Sequence, residues 1–246
     1  MREYTIILPV LNEKDNIIKL IDIISTIFDK HNYEIIVIND SSEDGTTEIL
    51  EQFKKNKKNF KHVLRNKKRS LVDSLNEAIE ISKYRFLIWM DCDFSHPPEN
   101  LKEIFKNIEE NKFLSFSRFL NGSKRHYEID QNSKKYFIDD MSYFLNMLCN
   151  FFLYKEFTDY TSGFICIDKK IMPEKLKGYY GDYYINLVCH VIRNKYKFVE
   201  LPYIEYQRLS GESKTLSNKF DFIIKCFFYF LVVLKNYLKK IKNKIL

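Results

Sequence analysis

Four short apolar runs, Tyr4–Leu8, Glu34–Ile38, Phe60–Leu64 and Arg85–Met90, alternate with stretches whose apolar residues recur at helical spacing. In the first of these stretches Ile17, Leu20, Ile21, Ile24, Ile27 and Phe28 fall on one helix face. The next two helices are expected over roughly Thr46–Asn56 and Leu71–Ile81. Strands separated by helices of this length are joined by right-handed crossovers and lie mainly parallel, so the expected class is an α/β fold with helices on both faces of the sheet. Ligands of such sheets gather beyond the carboxyl ends of the strands. The segments Pro9–Glu13, Asn39–Asp44 and Asp91–Ser95 each follow a strand, and they are expected to converge on one rim.

The third of these segments carries the sharpest chemical signal. Phe86-Leu-Ile-Trp-Met-Asp-Cys-Asp-Phe-Ser-His-Pro-Pro98 is an apolar run that stops at two carboxylates one residue apart. Asp91 and Asp93 on a strand end can both reach a hard cation, and Mg²⁺ typically takes one or two protein carboxylates together with substrate phosphates and water. An ion held there would neutralise charge on a departing diphosphate. An isolated Asp-x-Asp is more often a solvated loop or a helix cap; its place after a buried strand is what raises it above that reading. His96, followed by two prolines, reads as a residue that stiffens the loop, and Trp89 as core.

Composition narrows the remaining classes. With 45% hydrophobic and 16% aromatic residues in 246, the chain is too apolar to be disordered and long enough for a sizeable core. The five cysteines, at 92, 149, 166, 189 and 226, form neither a Cys-x-x-Cys pair nor a zinc pattern, which points to a reducing compartment without a disulfide framework. Met-Arg-Glu-Tyr leads straight into the first strand without the features of a signal peptide, so a cytoplasmic location is expected. The net charge of +7 is concentrated in Lys54–Arg69 and Lys235–Lys244. No nucleic-acid-binding motif accompanies these runs, so nucleic acid is not expected as a partner. The first run reads as a solvated helix end and loop.

Taken together, Leu8-Pro-Val-Leu-Asn-Glu13, Ile38-Asn-Asp-Ser-Ser-Glu-Asp-Gly-Thr46, Met90-Asp-Cys-Asp-Phe-Ser-His-Pro-Pro98 and Arg208-Leu-Ser-Gly-Glu-Ser-Lys214 resemble the motifs of family 2 glycosyltransferases of the GT-A fold. Within that family the chain is most similar to the dolichol-phosphate (polyprenol-phosphate) mannosyltransferase group, and the match spans about residues 4–215. The resemblance implies a nucleotide-sugar donor, GDP-mannose in that group, and a polyprenyl-phosphate acceptor. It implies that Pro9, Leu11, Glu13, Ile38 and Asp40 line the donor nucleotide pocket and that Cys92 backs the nucleotide. Asp91 and Asp93 would hold Mg²⁺ or Mn²⁺ with Ser95 as a further ligand, and Arg208 and Lys214 would grip the donor diphosphate. Two cations on a loop can close over phosphates and exclude water on general grounds as well.

On the acceptor side the resemblance implies that Arg118 and Ser142 meet the acceptor phosphate, with Asn146 four residues after Ser142. Asp91, Asp93, Arg118 and Arg208 would then carry the chemistry. The chain departs from the family where a basic residue is usual: Ile138 stands before Ser142, with Lys134 and Lys135 as substitutes from the preceding turn, and Ile165 follows Thr161-Ser-Gly-Phe164. Gly178-Tyr-Tyr-Gly-Asp-Tyr183 keeps only the Gly-Tyr start of its counterpart. A phosphate acceptor is already largely ionised at neutral pH and needs no general base. A sugar hydroxyl would need one, for which Asp159 and Asp182 are the candidates. A related enzyme extending a cell-surface glycan, and a non-catalytic nucleotide-sugar-binding homologue, are the alternatives.

Residues 1–217 are expected to form the catalytic domain and 218–246 an apolar helix with a basic tail. The run Phe220–Leu234, with Asp221 and Lys225 inside it, is shorter than the roughly 20 residues that span a bilayer. Followed by Lys235, Lys239, Lys240, Lys242 and Lys244, it suits a helix lying on an anionic membrane surface, as well as a terminal helix packed on the domain.

Overall fold

The computed structural model describes residues 2–55, 58–129, 137–210 and 219–245. In chain order the elements are β1 (Glu3–Val10), α1 (Ile17–Phe28), β2 (Asn32–Asn39), α2 (Thr46–Lys54), β3 (Phe60–Leu64), α3 (Leu71–Ile81), β4 (Phe86–Trp89), α4 (Leu101–Asn107), β5 (Lys112–Ser117), α5 (His126–Ile129), α6 (Phe137–Phe152), β6 (Ile165–Asp168), α7 (Tyr183–Arg193), β7 (Lys197–Pro202) and α8 (Lys219–Ile245). The strands make one sheet in the order β3-β2-β1-β4-β6-β5-β7. All pairings are parallel except those of β6, which runs antiparallel to β4 and β5.

Helices cover both faces, which is why the central strands read as unbroken apolar runs rather than alternating ones. Ile7, Ile36, Ile38, Leu87 and Trp89 face the layer that holds α3, α6, α7 and α8. Ile6, Leu8, Ile35, Val37 and Ile88 face α1 and α4. Trp89 is core, as expected, and its indole N–H donates to the Tyr183 hydroxyl at 3.0 Å. The expected α3 bounds match those observed, and its start is fixed by Ser70, whose Oγ accepts from Asp73 N at 3.2 Å.

β1 extends to Val10 instead of closing at Pro9. Its pairing with β4 ends at Ile7 and Trp89, and the Pro9 carbonyl faces Cys92 beyond that end. The side on which Pro9 lacks an N–H therefore has no strand to pair with, which is where proline is tolerated.

α8 is longer than the apolar run that predicted it, and it packs against α6 and α7. Its inner face buries Lys225, Val232, Val233 and Asn236. Asn236 accepts from Arg193 and donates to Asn186, tying α8 to α7 at 2.6 and 2.9 Å. Its outer face leaves Ile223, Phe227, Phe230, Leu234 and Leu238 exposed. No described helix is long and apolar enough to cross a membrane.

Candidate active site

Three loops at the carboxyl ends of β1, β2 and β4 meet, as the topology predicts, and each turns on a residue with positive φ: Asn12 (55°), Ser41 (58°) and Phe94 (67°). This backbone is costly for a bulky residue such as phenylalanine, and such strain collects where a loop must hold a fixed shape. The first two loops are stitched together. Asn12 N donates to Ser42 Oγ at 2.9 Å and Glu43 N to Asn12 Oδ1 at 2.8 Å, while Lys14 N donates to Asp44 Oδ2 at 3.0 Å.

The third loop is set by its own side chains. Asp93 Oδ1 accepts from Ser95 N at 2.9 Å and from Ser95 Oγ at 2.6 Å. His96 accepts from the Asp91 backbone N–H through Nδ1 at 3.0 Å, with its ring stacked on Phe164 at 4.9 Å. The histidine thus does stiffen this loop. Asp91 itself points into the cleft and, among the described residues, receives no hydrogen bond on its carboxylate.

The two carboxyls are pulled in opposite directions. The enclosing walls of the cleft, together with Asp93, push the Asp91 carboxyl upward. Burial also penalises charge on Asp93, but Arg208 at 2.8 Å and the Ser95 hydrogen bonds outweigh it and hold that carboxyl below its usual range. Arg208 comes from a strap that is zipped to the third loop: Tyr206 N donates to Ser95 O at 3.1 Å and Leu209 N to Asp93 O at 2.9 Å. Its next residue, Ser210, donates to Asn16 at 2.9 Å and so closes onto the start of α1.

Pro9, Leu11, Glu13, Asp40, Asp91, Cys92, Asp93 and Arg208 line one cleft of about 970 Å³. Other predicted residues stand apart from it. Ile38 is fully buried with its side chain in the α3-side core, because its neighbour Asn39 takes the opposite face at the strand end. Ser95 serves Asp93 rather than lining the cleft. Asp40 does line the cleft, but both its oxygens are engaged, one by Arg65 and the other by Ser70 N at 2.6 Å. Lys214, Lys134 and Lys135 lie outside the described residues.

Arg118 and Ser142 belong to a separate cluster outside the lining of this cleft. Arg118 meets Asp159 through Nε at 2.8 Å and Nη2 at 2.9 Å, Glu205 through Nη1 at 3.1 Å, and Thr161 Oγ1 at 2.6 Å. Ser142 Oγ and Asn146 Nδ2 reach the same Thr161 hydroxyl, each at 2.9 Å. Two carboxylates therefore already surround this guanidinium, and any anion arriving there competes with Glu205.

Sequence reasoning missed several participants, including Lys14, Lys68 and Arg69 on the cleft wall. Arg65 belongs to a basic run read as solvated, yet it is 3% exposed and braces Asp40 against Glu77 and Ser74. Its position directly after the third strand was the available signal. The pair Asp221 and Lys225 lines the cleft from α8, more than a hundred residues away in sequence from the strand-end loops. Nothing local marks that contact.

The model of the family described as "Glycosyl transferase family 2" matches residues 5–174, well over half of the chain. This chain belongs to glycosyl transferase family 2. Among relatives, a dolichol-phosphate mannosyltransferase of Pyrococcus furiosus is 27% identical over 221 residues, covering 85% of this chain and 58% of that protein. The dolichol-phosphate mannosyltransferase of Saccharomyces cerevisiae is 28% identical over 124 residues, covering 49% of this chain and 46% of that one. The chain thus spans about half the length of these relatives. Glucosyl-3-phosphoglycerate synthase of Mycobacterium tuberculosis, solved with Mn²⁺, UDP and phosphoglyceric acid, superposes with a TM-score of 0.69 at 13% identity, covering 96% of this chain and 78% of that one. At that identity the likeness is one of fold. It places the family 2 member described here among GT-A architectures, as its mainly parallel sheet implies.

Proposed function

We propose that this family 2 member is a metal-dependent glycosyltransferase that moves a sugar from a nucleotide-sugar donor to a polyprenyl-phosphate acceptor. The observation that carries the reading is the cleft itself: an open carboxylate, Asp91, beside a second one, Asp93, with Arg208 laid across it. Both donors are hard oxygens, so the residues present suit Mg²⁺ or Mn²⁺, although the described residues hold no group of three or more candidate metal ligands. Two carboxylates suffice if the donor diphosphate completes the set. The ion would supply neutralisation of charge on the leaving nucleoside diphosphate.

The remaining roles fall to the chain. Pro9, Leu11, Glu13 and Cys92 form the wall for the donor nucleotide, and Arg208 releases Asp93 to meet the diphosphate, with Lys214 as its partner in the grip. Arg118 and Ser142 stand on the acceptor side. Mannose as the group transferred is supported by the relatives named as dolichol-phosphate mannosyltransferases, and GDP-mannose as its donor by the motif resemblance to that group. A phosphate oxygen ionised at neutral pH attacks the anomeric carbon without a base. The hydroxyl-acceptor reading is disfavoured by geometry: Asp159 is bound to Arg118, and Asp182 is buried outside the lining of the cleft. The exposed apolar stripe of α8, flanked by Lys235, Lys239 and Lys242, supports peripheral attachment to an anionic leaflet.

Donor binding is testable without turnover. With Mn²⁺ present, a nucleotide-sugar at about a hundred times its Kd should raise the melting temperature by about 5–10 °C, and EDTA should remove the rise. A screen of GDP-mannose, UDP-glucose and their free nucleotides in which none shifts the melt would overturn the proposal.

A further inference from the structure

We infer that Lys225 of α8 is a phosphate-binding side chain of the catalytic cleft, which makes the C-terminal helix part of the site. The inference rests on the glycosyl-transfer reading above. Lys225 sits one turn after Asp221 and bridges to it at 2.6 Å, its ammonium lies 4.3 Å from the centre of the Tyr180 ring, and its side chain is only 7% exposed. Lysines commonly bury the stem and extend the ammonium into bulk water. This one instead faces the same cavity as Asp91, Asp93 and Arg208.

The helix is held in that position by contacts to the loop ahead of α7. Tyr179 stacks on Phe228 at 4.6 Å and 8°, and its hydroxyl donates to Asp221 at 3.3 Å. Gly181 leaves room for Tyr229: a Cβ there would lie 2.2 Å from the Tyr229 hydroxyl. Lys225 therefore adds a buried ammonium to a cleft that Lys14, Lys68, Arg69 and Arg208 also line.

An ordinary surface i,i+4 pair on a helix is worth about 0.3–0.5 kcal/mol and needs neither burial nor an aromatic platform. Burying the ammonium costs desolvation that a surface pair does not incur. An ammonium has three N–H donors, so it can hold Asp221 and a phosphate oxygen together. The phosphate met here is expected to be the acceptor's, because the reading above gives the donor diphosphate to the metal and Arg208.

The test compares Lys225→Met and Lys225→Arg in the full chain, measuring KM for polyprenyl phosphate, Kd for nucleoside diphosphate with Mn²⁺, and melting temperature. Lys225→Met is expected to raise the acceptor KM tenfold or more at nearly unchanged donor Kd and melting temperature, and Lys225→Arg to recover most of the loss. A tenfold weaker nucleoside diphosphate affinity with the same arginine recovery would support phosphate binding and assign it to the donor. Unchanged affinities for both, or equal losses in both variants that track a lower melting temperature, would overturn the inference. If the wild type binds no nucleoside diphosphate, the proposed function fails on its own. Lys225 is then read from co-sedimentation with vesicles carrying polyprenyl phosphate, with the same tenfold difference expected between wild type and Lys225→Met.

Discussion

Asp91→Asn should lower metal-dependent transfer by about a thousandfold, or roughly 4 kcal/mol of transition-state stabilisation, while leaving the fold intact. The carboxylate is open to the cleft, and no described side chain donates to it, so its removal orphans no donor. Its upward-shifted carboxyl means that ionisation is disfavoured in the folded state relative to the unfolded chain. Stability from this group is present below the usual carboxylate range and is lost as pH rises through the shifted value. The neutral asparagine escapes that loss, so at pH 7 the variant should melt no lower than the wild type. Steady-state transfer with Mn²⁺ and a thermal melt on the same preparation check both halves. A variant that keeps a tenth of wild-type turnover would contradict the role given to Asp91.

The second large effect is on stability. Arg118→Ala strips the cation from Asp159, which is fully buried, and from Glu205, 14% exposed. Removing one member of a buried pair leaves an uncompensated charge and costs about 3–5 kcal/mol. For a chain of this size that is a fall of about 6–20 °C in melting temperature. The same cluster gives a pH signature. Burial opposes the charge on Glu205, but Arg118 overrides it and brings the carboxyl from its usual 4.5 to about 2. A depressed carboxyl contributes stability that is present above 4.5 and lost as pH falls through about 2. The wild type should lose this contribution in that window, and Arg118→Ala should lack the corresponding acid limb. Melting curves from pH 7 to pH 2 for both proteins measure it; parallel curves would show that the pair does not stabilise the fold.

The strand-end loops were legible in the sequence because a parallel α/β sheet forces them together whatever their separation. Apolar period and flanking turns located α3 and β3 with the observed bounds, and the apolar face of α1. Chemistry marked Asp91 and Asp93, since two carboxylates at the end of a buried strand need a reason to be there. Ile38 was misplaced into the nucleotide pocket because a motif gives positions but not faces, and a shift of one residue in a strand reverses the side chain. Arg65 was hidden inside a basic run whose other members, Lys61, Lys67, Lys68 and Arg69, are solvent-exposed. The contact of Lys225 with Tyr180 depends on how α8 docks, and docking is set by Tyr229 filling the space over Gly181. No local pattern encodes that fit. The antiparallel β6 was equally silent: Ile165–Asp168 is a four-residue buried run whose direction follows from the path of the chain around α6.

The most direct measurement follows radiolabelled sugar from nucleotide-sugar donors into organic-extractable product, with polyprenyl phosphate in anionic vesicles and Mn²⁺. Label should enter the lipid from one donor, fall to background with EDTA or with Asp91→Asn, and be absent when the dephosphorylated polyprenol replaces the phosphate. Label appearing in the lipid at full rate with EDTA, or reaching the polyprenol as readily as its phosphate, would contradict metal-dependent transfer to a phosphate acceptor.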